Sequence, residues 1–257
     1  VYVRNKLRAC EEVGFASTCN ILPASYTTDQ VIAEVEKVNA DPTVDGLLVQ
    51  LPLPKHIDEA RVVAAVAPEK DVDAFAPVNI GEMMLGTADF LPCTPAGIME
   101  LLKRSGVSVE GKECVVIGRS NIVGKPMAML LLKENGTVEI CHSRTQNLKE
   151  ETLSADILVA AVGKAYFVTA DMVKEGAVVI DVGMNRNEEG KLCGDVDFEA
   201  VEKKASYITP VPGGVGSVTT ALLLYHTIEA AKGLTSKTSK PSINVTTCAS
   251  GLTLKSR

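Results

Sequence analysis

Tyr2 and Lys6 stand four residues apart, the spacing that puts two side chains on one face of a helix. A phenol beside an ammonium can relay a proton, which makes a usable acid–base pair at neutral pH. Taken alone, the pair reads as a solvated lysine beside a packed tyrosine. Gln50 closes an apolar run just before Leu51-Pro-Leu-Pro54, at the kind of strand end where ligands gather in α/β folds; an ordinary strand-end amide is the alternative. Asp71 and Asp73 flank Val72 in a polar turn. Turn carboxylates generally bond local backbone N–H groups, and no third hard ligand follows nearby, so no metal site is expected. Cys93 has no evident partner as a nucleophile, because the chain has three histidines and none sits in a matching motif. Cys93-Thr94-Pro95 reads instead as a helix start, with Thr94 as the cap and Pro95 as the first helical residue. His56 and His226 read as surface or packing residues.

The stretch Cys114 to Thr145, CVVIGRSNIVGKPMAMLLLKENGTVEICHSRT, carries the second chemistry. A buried-type strand enters a turn containing Gly118 and Gly124, then a helix with Pro126 near its start, then a second strand. That is half of a dinucleotide-binding unit, in which a helix N-terminus receives a pyrophosphate on its backbone N–H groups. The glycines do not fit G-x-G-x-x-G. NAD-binding folds place an acidic residue ~20 residues past the loop, at the second strand end, to hold the ribose 2′-hydroxyl. Here that place reads His142-Ser143-Arg144, which suits a 2′-phosphate, so NADP is expected over NAD. The turn Pro210-Val-Pro-Gly-Gly-Val-Gly216 is too constrained for a linker and suits close backbone approach to a ligand or another segment.

The elements that must position these groups alternate along the chain. Val3, Leu7, Cys10 and Val13 share a helical face that Gly14 ends. Strands are expected at Ala16–Leu22 and Val44–Gln50, with a helix between them capped by Thr28 or Asp29. A helix spans about Ile57 to Val66, and another follows Pro95 as far as Gly106. Further strands are expected at Cys114–Ile117, Val138–Cys141, Ile157–Ala161, Ala177–Val182 and Tyr207–Thr209. The runs ILVAAVG and AVVIDVG are apolar throughout, as in parallel strands covered on both faces. Thr219 to Ala231 is a helix. From Leu234 onward periodicity dissolves into Ser, Thr and Lys, which predicts a disordered tail. The helix at the very start has no residue before it to cap it, and further sequence upstream is expected.

At 257 residues with 46% hydrophobic and 23% charged content, the chain is long enough for a sizeable core and ordinary for a globular protein. A net charge of −6 and a pI near 5.2 argue against a nucleic-acid surface. No apolar run approaches the ~18 residues of a membrane span, and no signal-peptide pattern opens the chain. The seven cysteines are odd in number and lack C-x-x-C, which points to reduced core thiols in a cytoplasmic protein.

Together, YVRNK, VDGLLVQLPLP, PEKDVDAF, CTPAG, GRSNIVGKP, CHSRT and TPVPGGVG resemble, in this order, the bifunctional methylenetetrahydrofolate dehydrogenase/cyclohydrolases over roughly residues 1–232. The resemblance implies an α/β chain of two lobes. Residues 1–92 would form the smaller folate-binding lobe, to which the helix 217–233 returns, and residues 93–216 a Rossmann-like NADP-binding lobe with a parallel sheet. The folate cleft would lie between the lobes, the tail 234–257 would match nothing, and the usual assembly is a homodimer. Lys6 corresponds to the catalytic lysine of the cyclohydrolase step, with Tyr2 beside it. Gln50 corresponds to the residue that tunes the lysine, and Asp73 to the carboxylate that binds the pterin. Gly118, Arg119, Ser120, Ile122, Gly124, Ser143 and Arg144 fall in the NADP-binding motifs, and Gly213 and Gly214 line the cofactor side. The implied activity is NADP-dependent oxidation of 5,10-methylenetetrahydrofolate and hydrolysis to 10-formyltetrahydrofolate, within one-carbon metabolism and purine biosynthesis.

Three departures from the pattern stand out. The family usually carries ~40–50 further residues before YVRNK, a length consistent with a domain of ordinary size. Ala74 and Ala76 stand where a Gly and often a His are common, and Ser217 replaces a usual Pro. Two other readings remain beside the bifunctional enzyme: an impaired NADP-binding fragment of one, and an NADP-dependent dehydrogenase of another substrate.

Overall fold

The computed structural model describes residues 2–235 and 244–250. The chain divides into two compact units, one made of the residues up to Cys93 together with those from Thr220 onward, the other of Thr94–Thr219.

The first unit contains α1 (Tyr2–Glu12), β1 (Ala16–Leu22), α2 (Thr28–Ala40), β2 (Gly46–Val49), α3 (Glu59–Ala64) and α4 (Pro77–Leu85). Its α2 is held at the start by a capping box: Gln30 N donates to Thr27 Oγ1, and Thr27 N donates to the Gln30 side chain. The cap is therefore Thr27, not Thr28 or Asp29, because only Thr27 has the extended backbone that aims its hydroxyl at the first turn. Val31, Val35 and Val38 recur at helical spacing and are buried with Leu47, Val49 and Val62. At the other end of α2 the buried Lys70 donates to the carbonyls of Val38, Asn39 and Asp41 at 3.2, 2.8 and 2.7 Å, satisfying acceptors that the helix end leaves open. Pro77 starts α4, and Gly86 ends it in the left-handed conformation.

The sheet of this unit has the order β1-β10-β2 and is wholly parallel, with β10 spanning Asn244–Ser250. Ala16 pairs with Asn244 and Leu22 with Ser250, while Gly46 pairs with Val245. The expectation of a structureless tail from Leu234 is corrected on two counts. The helix α9 (Val215–Thr235) runs past it, and residues 244–250 satisfy their backbone groups between two strands, which needs no side-chain periodicity. Residues 236–243 and 251–257 of that tail lie outside the described residues.

The second unit follows α5 (Cys93–Arg104) with β3 (Glu113–Ile117), α6 (Gly124–Lys133), β4 (Thr137–Cys141), α7 (Leu148–Ser154), β5 (Ile157–Ala160), β6 (Val178–Asp181), the hairpin β7 (Asn185–Arg186) and β8 (Leu192–Cys193), α8 (Phe198–Val201) and β9 (Tyr207–Ile208). The five parallel strands run in the order β4-β3-β5-β6-β9. All four residues of β5 and of β6 are buried, as their unbroken apolar runs require. After β4 the chain returns past β3 to add β5 on its other side, so β3 and β5 form a topological switch point, the place where open α/β sheets bind ligands. Thr94 is not the cap of α5, since the helix already includes Cys93; its hydroxyl lies 3.2 Å from that of Thr219.

Candidate functional site

Two groups of residues, one in each unit, have the geometry for chemistry. In the first unit α1 carries Lys6 inward: the side chain of Lys6 is buried, and its Nζ donates to Gln50 Oε1 at 3.4 Å. The solvated alternative for Lys6 is thereby set aside. Gln50 follows β2 directly, and its amide also donates to Leu51 O at 2.9 Å, which fixes which end of the amide faces Lys6. Tyr2 is the first residue of the same helix, and its side chain is outside the described part of the structure.

The turn Asp71-Val72-Asp73 separates its two carboxylates by environment. Asp71 is buried, with Oδ2 accepting from Ala76 N at 2.6 Å and from Asn79 Nδ2 at 3.1 Å. Burial outweighs those bonds and pushes its carboxyl up to about 6. Asp71 thus braces the turn against the start of α4. Asp73 is only half-buried, and its charge, after burial itself, helps push the Cys93 thiol well above its ordinary range; Lys6 pulls the other way. Lys6 and Asp73 therefore each lie within electrostatic reach of Cys93. Ala74 closes the turn with φ of +58°, a conformation that favours glycine. His226, read from the sequence as a surface or packing residue, is a buried packing residue that also makes a specific polar contact. It is 5% exposed, with Nδ1 3.0 Å from Val72 O.

In the second unit the C-terminal strand ends gather a second set. Gly118 leaves β3 with φ of +128°, and a Cβ there would stand 2.2 Å from Ala161 O at the end of β5. A Cβ on Gly124 would stand 2.1 Å from Gly118 O. Both glycines thus permit the close approach that lets α6 begin over the strand ends. Ser120 Oγ accepts from Val123 N at 3.2 Å and Gly124 N at 3.3 Å, which satisfies two backbone donors where α6 begins. Ile122 is half-buried in that turn, and Arg119 and Ser120 are exposed. Register sets Ile117 beside Cys141, and Gly118 N donates to Cys141 O at 2.8 Å. The next turn, His142-Ser143-Arg144, therefore neighbours the Gly118 turn. It is closed by His142 N donating to Thr145 Oγ1 at 2.8 Å and Arg144 N to His142 Nδ1 at 3.1 Å, which leaves the exposed side chains of Ser143 and Arg144 at the edge. Cations and hydroxyls flanking a helix N-terminus suit a phosphate-bearing cofactor. Gly213 has φ of +103°, and a Cβ on Gly214 would stand 2.4 Å from Pro210 O.

Two carboxylates that the sequence did not single out organise this edge. Asp195 accepts from Val162 N, Gly163 N, Lys164 N and Asn185 Nδ2 at 2.6–3.0 Å. Asp181, at the end of β6, accepts from Gly183 N, Asp195 N and Val196 N at 2.9–3.0 Å. The signal available was an acid ending the apolar run AVVID, which a buried strand tolerates only with backbone partners. Among the described residues no cluster of His, Cys, Asp and Glu is arranged to hold a metal.

Two stretches of the chain match two parts of one family. Residues 92–235 match the tetrahydrofolate dehydrogenase/cyclohydrolase NAD(P)-binding domain, and residues 1–73 match its catalytic domain. The chain belongs to the tetrahydrofolate dehydrogenase/cyclohydrolase family. It is 58% identical over 232 residues to the bifunctional protein FolD of Agathobacter rectalis, covering 90% of this chain and 83% of that one. Identity to FolD of Acetivibrio thermocellus is 60% over 232 residues, with 90% and 81% covered. Among solved structures it is similar to the bifunctional FolD of Campylobacter jejuni, at 49% identity and a TM-score of 0.87 over 90% of this chain and 83% of that one. It is also similar to the Trypanosoma brucei dehydrogenase-cyclohydrolase, at 40% identity and 0.86, covering 93% and 83%. That structure holds NADP and an inhibitor. The catalytic-domain match contains Lys6, Gln50 and Asp73, and the NAD(P)-binding match contains the Gly118 and His142 turns.

Proposed function

We propose that the protein oxidises 5,10-methylenetetrahydrofolate with NADP and hydrolyses the methenyl product to 10-formyltetrahydrofolate. The observation that carries the reading is the buried Lys6 side chain held by Gln50, in the part that matches the family's catalytic domain. Support for the cofactor comes from the β4 end, where Ser143 and Arg144 stand in place of an acid, and from the NADP held by the Trypanosoma brucei relative.

NADP, when bound, takes the hydride of the methylene carbon. Arg119, Ser143 and Arg144 would hold its phosphates, the Gly118–Gly124 turn would admit the pyrophosphate to the start of α6, and Gly213 and Gly214 would line its other side. Asp73 would orient the pterin. Water then adds to the methenyl carbon, and Lys6, held by Gln50, moves the proton that lets the ring C–N bond open. Tyr2 would assist from the preceding turn of α1.

No helix among the described residues is long and apolar enough to cross a membrane. The cytoplasm is the proposed compartment, supported by the free thiols of Cys10, Cys19, Cys93, Cys114, Cys141 and Cys193. A homodimer and a place in one-carbon supply for purine synthesis complete the proposal, on the family resemblance. The test is a spectroscopic assay of methenyl formation with NADP and with NAD, followed by methenyl hydrolysis. Absence of both activities in folded, cofactor-binding protein would overturn it.

A further inference from the structure

We propose that His226 is a positioning residue that orients Asp73 through the carbonyl of Val72, an inference that rests on the reading of Asp73 as the pterin-binding carboxylate. Two donors from distant parts of the first unit converge on that one oxygen. His226 Nδ1 lies 3.0 Å from Val72 O, and Cys93 Sγ lies 3.2 Å from it. A carbonyl only accepts, so the proton of the neutral imidazole sits on Nδ1. That assignment excludes a Cys93–His226 nucleophilic pair, although Sγ and Nδ1 are 3.4 Å apart: a nitrogen that donates to Val72 O has no lone pair for the thiol proton. Burial also favours the neutral ring, outweighing the opposite pull of the Val72 bond, Asp73 and Glu229.

The carbonyl of Val72 belongs to the peptide that joins Val72 to Asp73, so holding it sets the direction in which Asp73 leaves the turn. The other side of the turn is already held by Asp71, through Ala76 N and Asn79. The Val72 side chain is clamped as well, since a Cβ on Gly46 would stand 2.8 Å from Val72 Cγ1. Val72, Phe90, Cys93 and Leu223 form one buried cluster, and the Phe90 ring lies 5.5 Å from that of His226. With its neighbours so constrained, the remaining freedom of the Val72–Asp73 peptide is rotation about its ends, which the two donors to Val72 O oppose.

The bond geometry makes the proposal testable by choice of amide. Asn Nδ2 is as many bonds from Cα as His Nδ1, whereas Gln Nε2 lies one bond farther, near the position of His Nε2. His226→Leu and His226→Gln should raise KM for 5,10-methylenetetrahydrofolate about tenfold, the worth of one hydrogen bond, with KM for NADP unchanged. His226→Asn should restore the folate KM to near that of the natural protein. Asp73→Ala is the companion. If it leaves the folate KM unchanged, the reading of Asp73 fails; if it raises KM while His226→Leu does not, only the positioning role fails. A Gln variant as good as Asn, or an equal rise in KM for NADP, also overturns the role. Independently of any variant, nitrogen NMR of His226 at neutral pH should show the Nδ1-protonated tautomer; the Nε2-protonated or doubly protonated ring would overturn the assignment.

Discussion

Lys6 Nζ meets Gln50 Oε1 at 3.4 Å across 44 positions of sequence, with Lys6 only 6% exposed. The amide oxygen of Gln50 holds the buried Lys6 side chain in one place, from which a positioned amine can move a proton. Ring opening needs such a group, whereas a hydride passes directly between bound carbons. Lys6→Met is therefore expected to lower methenyl hydrolysis by about 10²–10⁴-fold while hydride transfer survives at least in part. Separate assays of the two steps check this, and equal loss of both in folded protein would count against it.

Arg144 uses its backbone N–H, not its side chain, to close the turn with His142. Its guanidinium is thus dispensable for the fold and free to serve a 2′-phosphate. Arg144→Ala should raise KM for NADP by roughly 10- to 100-fold, as for loss of a charge-assisted hydrogen bond, and change NAD use little. The melting temperature should not move. A proportional loss with both cofactors would remove the 2′-phosphate assignment.

Gly118 makes a very close backbone approach at the switch point, with φ of +128° and no room for a Cβ beside Ala161 O. Gly118→Ala must either push β3 away from β5 or abandon that conformation. The expected cost exceeds ~3 kcal/mol, read as a fall in denaturant midpoint together with lost cofactor binding. A variant that keeps both would show that the turn can relax.

Asp181 is 2% exposed and accepts three backbone N–H groups, yet burial raises its carboxyl to about 6. Between its ordinary value of 3.8 and about 6 the folded state holds a proton that the unfolded state has released. Stability from this group is therefore present below that window and lost as pH rises through it. Asp181→Asn has no such titration and turns an N–H donor toward backbone donors, so it should be less stable throughout. Its deficit should shrink as pH rises from 4 to 7 in urea unfolding. A deficit independent of pH would contradict the raised value.

Local chemistry in the sequence determined the class of fold. Apolar runs such as ILVA and VVID, with no polar alternation, required strands covered on both faces, and the described strands β5 and β6 are buried throughout. The helix spacing of Val31, Val35 and Val38 and the turn chemistry of Gly118 and Gly124 were equally readable, because period and permitted φ are properties of a few adjacent residues. The absence of an acid after β4 was readable for the same reason. What tertiary structure decided is every pairing across long separations. Nothing near Asp71 or Asp73 says which carboxylate braces the turn; the donors from Ala76 and Asn79 choose Asp71. Nothing near His226 announces that it meets Val72, 154 positions away. The segment Asn244–Ser250 lacks amphipathic periodicity because a strand between two parallel neighbours is specified by backbone hydrogen bonds to β1 and β2, which any residue but proline can make.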